Sequence, residues 1–192
     1  TEKGEIITCS REENSEKFWA TIGGMGLTGI ILTAKFKLKN IESAYIRQES
    51  IKADNLDEIF KLFDESENWT YTVAWIDCLQ KGKNIGRSIL MRGEHAFQHE
   101  LPQSFSKTPL RLKKKLQPTV PFYFPGFVLN ALTVKIFNWL YYKKQSKKEV
   151  KNFIDYETFF YPLDAITDWN KIYGKSGFIQ YQMVIPKETG KE

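Results

Sequence analysis

Residues Gly24-Met25-Gly26-Leu27-Thr28-Gly29 form a literal G-x-G-x-x-G. In a dinucleotide-binding βαβ unit such a run closes a strand and opens a helix, whose N-terminus receives the pyrophosphate. Three other groups have types and spacings that could do chemistry. His95 and His99 stand four apart and on a helix would face one metal. Zinc wants three or four ligands, and no carboxylate or cysteine is placed to complete the set, so no metal site is expected. Gln180 and Gln182 flank Tyr181 in GFIQYQMVIP, which puts both amides on one face of a strand. Amides are costly to bury unpaired, so they either satisfy neighbouring backbone or point into a polar ligand pocket. Finally, Arg111, Lys113, Lys114 and Lys115 precede an aromatic and aliphatic run from Phe122 to Tyr142, which Lys143, Lys144, Lys147 and Lys148 close. Pro125, Gly126, Asn130, Lys135 and Asn138 interrupt that run, and a bilayer span needs about 20 apolar residues in succession. Two readings stay open: a segment lying in a membrane interface with lysines toward anionic headgroups, or a core helix with solvated lysine flanks.

The elements around these groups decide what they can be. Asn14 to Ile22 places Phe18, Trp19 and Ile22 on one helical face, with Asn14 or Ser15 as the cap. After the glycines, Ile30, Leu32, Ala34, Phe36 and Leu38 alternate with Ile31, Thr33, Lys35, Lys37 and Lys39, which predicts a half-buried strand. The order is therefore helix, glycine turn, strand, the reverse of the Rossmann fingerprint, and that reading is excluded. Further on, Glu42 to Ile51 reads as a strand. Leu56, Ile59, Phe60 and Phe63 make the apolar face of a helix capped by Asp54 or Asn55, with Glu58 placed for a capping box. Trp69 to Asp77 and Arg87 to Arg92 read as antiparallel neighbours. Pro102, Pro109, Pro118, Pro121 and Pro125 break regularity between about Glu94 and Lys148. It returns as a strand at Phe159 to Pro162, a short helix from Asp164 to Tyr173 with Ile166 on its apolar side, and a strand from Gly177 to Pro186. The fold class is α+β: an antiparallel sheet with helices packed on it, without internal repeats.

Composition sets outer bounds. A chain of 192 residues with 42% hydrophobic and 15% aromatic content can build a core, and a net charge of +5 favours an anionic partner. Nucleic acid is not expected, because the aromatics form one apolar block instead of interleaving with the basic residues. Cys9 and Cys78 make no metal or redox motif and read as reduced thiols. The chain opens on Thr1, shows no signal-peptide pattern and ends at Glu192 soon after a strand-like run, so both ends read as points inside a longer protein. A cytoplasmic place, or a peripheral one at a membrane, is expected.

The blocks TIGGMGLTGII, YTVAWID, GRSILMRG, FFYPLDAITDWNKIYG and GFIQYQMVIP, in this order, resemble the decaprenylphosphoryl-β-D-ribose 2-oxidase family of vanillyl-alcohol-oxidase-type flavoenzymes. The resemblance covers almost the whole chain and is weakest in the basic, aromatic middle. It implies that residues 1–39 end an FAD-binding domain, with Gly23, Gly24, Gly26, Leu27, Thr28 and Ile30 near the cofactor. Glycine there lets backbone N–H groups approach phosphate or adenine edges. It implies that residues 40–192 belong to a substrate-binding cap domain, incomplete, with a mobile basic and aromatic segment at about 95–148.

The reaction implied is oxidation of the ribose 2-hydroxyl of a polyprenyl-phosphate sugar in cell-wall precursor synthesis, with hydride passing to FAD. A separate NADH-dependent reductase then acts on the keto product and completes epimerisation. Trp75 matches a pocket-lining tryptophan, Ile166 an apolar pocket position, and Gln180 and Gln182 polar pocket residues. Phe160 falls where the family usually has tyrosine, which keeps a sister sugar or aldonolactone oxidase open. A non-catalytic lipid-phosphate-binding module at a membrane surface is the reading from another class. The family's catalytic residues have no match here, so this stretch alone is expected to hold FAD poorly or not at all, and not to turn over. An anionic membrane surface meeting residues 111–148 agrees with a lipid-linked substrate.

Overall fold

A computed structural model describes residues 4–112, 115–186 and 189. Lys113 and Lys114, named above among the basic residues, lie outside the described residues. The chain divides into two compact units, Thr1–Asn40 and Ile41–Glu192.

In the first unit, helix α1 (Ser15–Thr21) starts at Asn14, whose backbone is left-handed and whose side chain donates to the Thr8 carbonyl at 2.8 Å instead of capping the helix. The Ile22 N–H donates to the Phe18 carbonyl and ends the helix. The glycine turn follows, so the order of helix then glycines is the observed one. The predicted strand at Ile30 to Leu38 is not formed. Residues 29–40 carry no regular structure, with Ile30 91% and Phe36 75% exposed. Period-two alternation makes a strand only when a neighbouring strand supplies ladder bonds, and none of the described residues pairs there.

The second unit is built on a four-stranded antiparallel sheet in the order β2-β3-β1-β4, from β1 (Tyr45–Ala53), β2 (Tyr71–Ile76), β3 (Ser88–His95) and β4 (Glu149–Asp155). Registers pair Gln48 with Gly93 and Asn152, and Trp75 with Ile89. One face is covered. Helix α2 (Leu56–Asp64) lays Leu56, Ile59, Leu62 and Phe63 on Ala53, Ala74 and Leu90. Its start follows the expected chemistry: the Asn55 side chain accepts from the Glu58 N–H at 3.0 Å, and Glu58 reaches back to the Asp54 N–H at 2.7 Å. Farther along the same face, Tyr45, Ala96 and Leu101 pack with Phe105 of α3 (Gln103–Ser106) and with Phe153. Between these clusters the Glu49 carboxylate takes two hydrogen bonds from Arg92, at 2.7 and 3.0 Å, and one from Lys151 at 2.8 Å. Arg92 also lies over the Trp69 ring and donates to the Ser66 hydroxyl.

The remaining helices differ from the sequence expectation. Helix α4 (Ala131–Lys144) runs where prolines had suggested irregularity; past Pro125 none remains before Pro162 to break it. Asn130 caps it, accepting from the N–H groups of Leu132 and Thr133. Residues 156–160 form helix α5 (Tyr156–Phe160) instead of the predicted strand, because the Asp155 side chain accepts from the Thr158 N–H and starts a helical turn. The short helix expected near Asp164 to Tyr173 is two 3₁₀ turns, Pro162–Ala165 and Trp169–Tyr173. The final predicted strand, Gly177 to Pro186, has no ladder partner among the described residues and is largely exposed. His95 and His99 do not share a helix: a His95 ring nitrogen bonds the Ser43 carbonyl, and His99 stacks on Phe97.

Burial pushes the Glu49 carboxyl up, but hydrogen bonds from Lys151 and Arg92 together with their charge outweigh it and hold its pKa below the ordinary glutamate range. A carboxyl depressed in the folded state adds stability above its unfolded pKa, and that stability is lost as pH falls through the folded value. Unfolding free energy should therefore drop on acidification below about pH 4, and more shallowly in Glu49→Gln. Denaturant titrations from neutral to acid pH check this; parallel curves for the two proteins would contradict it.

Candidate functional site

Candidate residues occur in both units. In the first, the glycine turn is tight. The Gly24 N–H donates to the Thr21 carbonyl and the Leu27 N–H to the Gly24 carbonyl, at 3.1 and 2.9 Å. Hydroxyls of Thr21 and Thr28 lie 3.0 Å apart. A Cβ at Gly24 would run into the Ala20 carbonyl oxygen, so this position excludes any side chain. Gly23 and Gly26 have φ of 78°, in the region that favours glycine, and the space a Cβ would take there is open. Leu27 and Ile30 are exposed, at 89% and 91%. The turn thus leaves bare backbone open to approach, which fits a cofactor whose phosphates or ring edges come within hydrogen-bond reach of main chain.

In the second unit, the sheet face opposite α2 holds Trp75. By register this face carries Tyr71, Val73 and Trp75 of β2, Ile89, Met91 and Gly93 of β3, and Ile46, Gln48, Ser50 and Lys52 of β1. Each end is walled. At one end Phe159 lies against Gly93, and the Phe160 ring meets Tyr71 edge-on at 4.9 Å. At the other, Tyr141 of α4 lies 4.7 Å from the Trp75 ring. Between the walls Val73 is 43% exposed, and the Gln48 amide donates to the Ser50 hydroxyl.

Helix α4 is held by its polar residues. The Asn138 amide donates to Asp77 Oδ1 at 2.7 Å, and the Tyr142 hydroxyl donates to Asp54 at 2.8 Å. Asp77, just past β2, also accepts from Arg87 at 2.6 Å, from Gln80 at 2.8 Å and from the Leu79 N–H at 3.2 Å. Burial raises the Asp77 pKa, but these bonds outweigh it and the carboxyl sits below its ordinary range. Burial, then the bond to Asp54, pushes the Tyr142 phenol well above its usual value. Lys52 stands 4.0 Å over the Tyr142 ring and Arg87 4.5 Å over it, which ties α4 to β1 and to the residue that leads into β3.

Of the residues expected from sequence, Trp75 and Phe160 fall on this one face. Ile166 lies in the loop between the two 3₁₀ turns, 39% exposed, and Gln180 and Gln182 lie on the exposed segment beyond Gly177. The structure does not gather these last three around Trp75. Gln48, Ser50 and the Asp77 network went unremarked at the level of sequence. Their signal was present: Gln48, Ser50 and Lys52 alternate along β1, which marks one face as polar. On this face lie the partly buried Trp75 ring and the exposed Val73, with Gln48 and Ser50 buried and bonded to each other and His95 beside Tyr71.

No family model matches the sequence. Cytokinin dehydrogenase 3 of Arabidopsis thaliana is 54% identical over 39 residues, covering 20% of this chain and 8% of that protein. Decaprenylphosphoryl-β-D-ribose oxidase of Mycolicibacterium smegmatis is 38% identical over 98% of this chain, so the chain is similar to FAD-linked oxidases. An uncharacterised protein of Streptomyces coelicolor is 35% identical over 58% of the chain. The chain spans 43% of the length of the first of these relatives and 30% of the second.

A methyl group at Gly93 would strike Ile46 and the Phe159 ring, so Gly93→Ala should lower unfolding free energy by about 1–3 kcal/mol. Val73→Ala, at the open centre, should change it by only about 0.5 kcal/mol. Urea unfolding of both variants checks this; equal losses would contradict a face walled at its end and open in its middle.

Proposed function

We propose that this chain is part of an FAD-dependent oxidoreductase that oxidises a hydroxyl of a lipid-linked sugar, the ribose 2-hydroxyl of a polyprenyl-phosphate ribose, to a ketone. The observation that carries this reading is the similarity to a decaprenylphosphoryl-ribose oxidase along 98% of the chain. FAD, when bound, supplies the hydride acceptor. Gly23, Gly24 and Gly26, with Leu27, Thr28 and Ile30 beside them, would offer the bare backbone turn to it. Trp75 would stack on the apolar face of the sugar ring. Ile166, Gln180 and Gln182 remain candidates for the substrate's outer contacts.

The keto product would pass to an NADH-dependent reductase, which would return the hydroxyl with inverted configuration as a step in cell-wall precursor synthesis. No helix among the described residues is long and apolar enough to cross a membrane, and a peripheral place at its surface suits a substrate whose lipid tail stays in the bilayer. A second reading rests on Phe160. This ring contacts Tyr71 edge-on without the hydroxyl that the resemblance predicts at its position, which suits a sister oxidase with another sugar or an aldonolactone as substrate.

Anaerobic mixing of the full-length flavoprotein with candidate substrates decides between them. Polyprenyl-phosphoryl ribose should bleach the visible flavin band, and an aldonolactone should leave it unchanged. Bleaching by the lactone alone would support the sister oxidase. A full-length protein that holds no flavin would overturn the oxidoreductase reading.

A further inference from the structure

Helix α4 turns its apolar residues outward. At 3.6 residues per turn, Leu132, Ile136 and Leu140 form one row, with Trp139 and Phe137 on its two sides, and each of these is more than half exposed. The opposite side holds the buried residues, Asn138 and Tyr142, whose polar atoms bond Asp77 and Asp54. A helix on a globular core normally does the reverse. Five large side chains in one exposed patch mark a surface that meets something apolar.

Charge identifies the partner. Between Leu101 and Lys148 the sequence holds ten lysines and arginines and neither aspartate nor glutamate, although the whole chain carries only +5. Lys143 and Lys144 end α4 on its outward side and favour the helix C-terminus as well. Exposed Phe127 and Leu129 precede its N-terminal cap. An apolar row bordered by tryptophan and phenylalanine, with lysines at one end, matches an acyl-chain boundary overlain by anionic headgroups. A nucleic acid would leave Leu132, Ile136 and Leu140 without an apolar counterpart.

We propose that the outward face of α4 is a docking surface for anionic lipid bilayers, with Leu132, Ile136, Trp139 and Leu140 entering the acyl boundary and Lys143 and Lys144 at the phosphates. This surface does not depend on the oxidase reading, since any protein carrying it would dock in the same way. It would place the open sheet face, whose wall α4 forms through Tyr141, beside the membrane.

Sedimentation of the full-length flavoprotein with phosphatidylcholine vesicles, with and without phosphatidylglycerol, tests the proposal. The protein should pellet with the anionic vesicles. Ile136→Glu with Leu140→Glu should weaken partitioning at least tenfold while leaving the unfolding temperature unchanged. Lys143→Gln with Lys144→Gln should remove the preference for anionic lipid. A blue shift of tryptophan emission on vesicle addition should shrink in Trp139→Phe, which reads the contact without a charged substitution. Failure of the wild type to pellet, or pelleting of the double glutamate variant like wild type, would overturn it. A fall in unfolding temperature or a changed oligomeric state in that variant would also do so, by assigning the face to a protein interface. Flavin bleaching by substrate is independent of all these readouts, so the two readings can fail separately.

Discussion

The Asp77 carboxylate has no exposed surface, and an ion in that position has to be satisfied on every side. Arg87 pairs with it across the β2–β3 connection, Gln80 and the Leu79 N–H close the turn, and Asn138 reaches it from a helix 61 residues away. A hydrogen bond to a charged group is worth about 1.5–3 kcal/mol, and these bonds hold α4 with its polar side toward the sheet. Asn138 has to face the sheet, Tyr142 follows one turn later onto Asp54, and the apolar row is left on the other side.

The same fastening shapes the candidate site. Because α4 is docked through Asn138 and Tyr142, Tyr141 is delivered to the edge of the Trp75 ring and closes one end of the open sheet face. The other end depends on Gly93, where the missing side chain lets Phe159 lie on the strand and brings Phe160 to Tyr71. Between the walls Val73 is exposed, while Gln48 and Ser50 are buried and bonded to each other.

Local rules made much of this fold legible. The Asn55 cap with Glu58, the four apolar positions of α2, and the β2 and β3 runs bounded by turn residues all carry signals that neighbours cannot easily override. The misreadings have one cause. Ile30 to Leu38 and Gly177 to Pro186 alternate as strands do, but a ladder requires a second strand, and alternation says nothing of whether one is at hand. Strand β4 was missed for the converse reason: three of the seven residues of EVKNFID are charged, yet it sits at a sheet edge where Lys151 can meet Glu49. The rotation of α4 could not be read from sequence, because hydrophobic periodicity assumes that apolar residues face the core and here a distant carboxylate decides. Trp75 and the glycine turn were singled out from sequence, whereas Gln48 and Ser50 were passed over although they alternate with Lys52 along β1.

The claim that the Asp77–Asn138 bond sets the seat of α4 is tested most directly by a double-mutant cycle. Unfolding free energies would be measured for the wild type, Asp77→Asn, Asn138→Ala and the double variant. A coupling energy above about 1 kcal/mol is the predicted result. Losses that add within about 0.5 kcal/mol would show the two residues acting independently and would contradict the account.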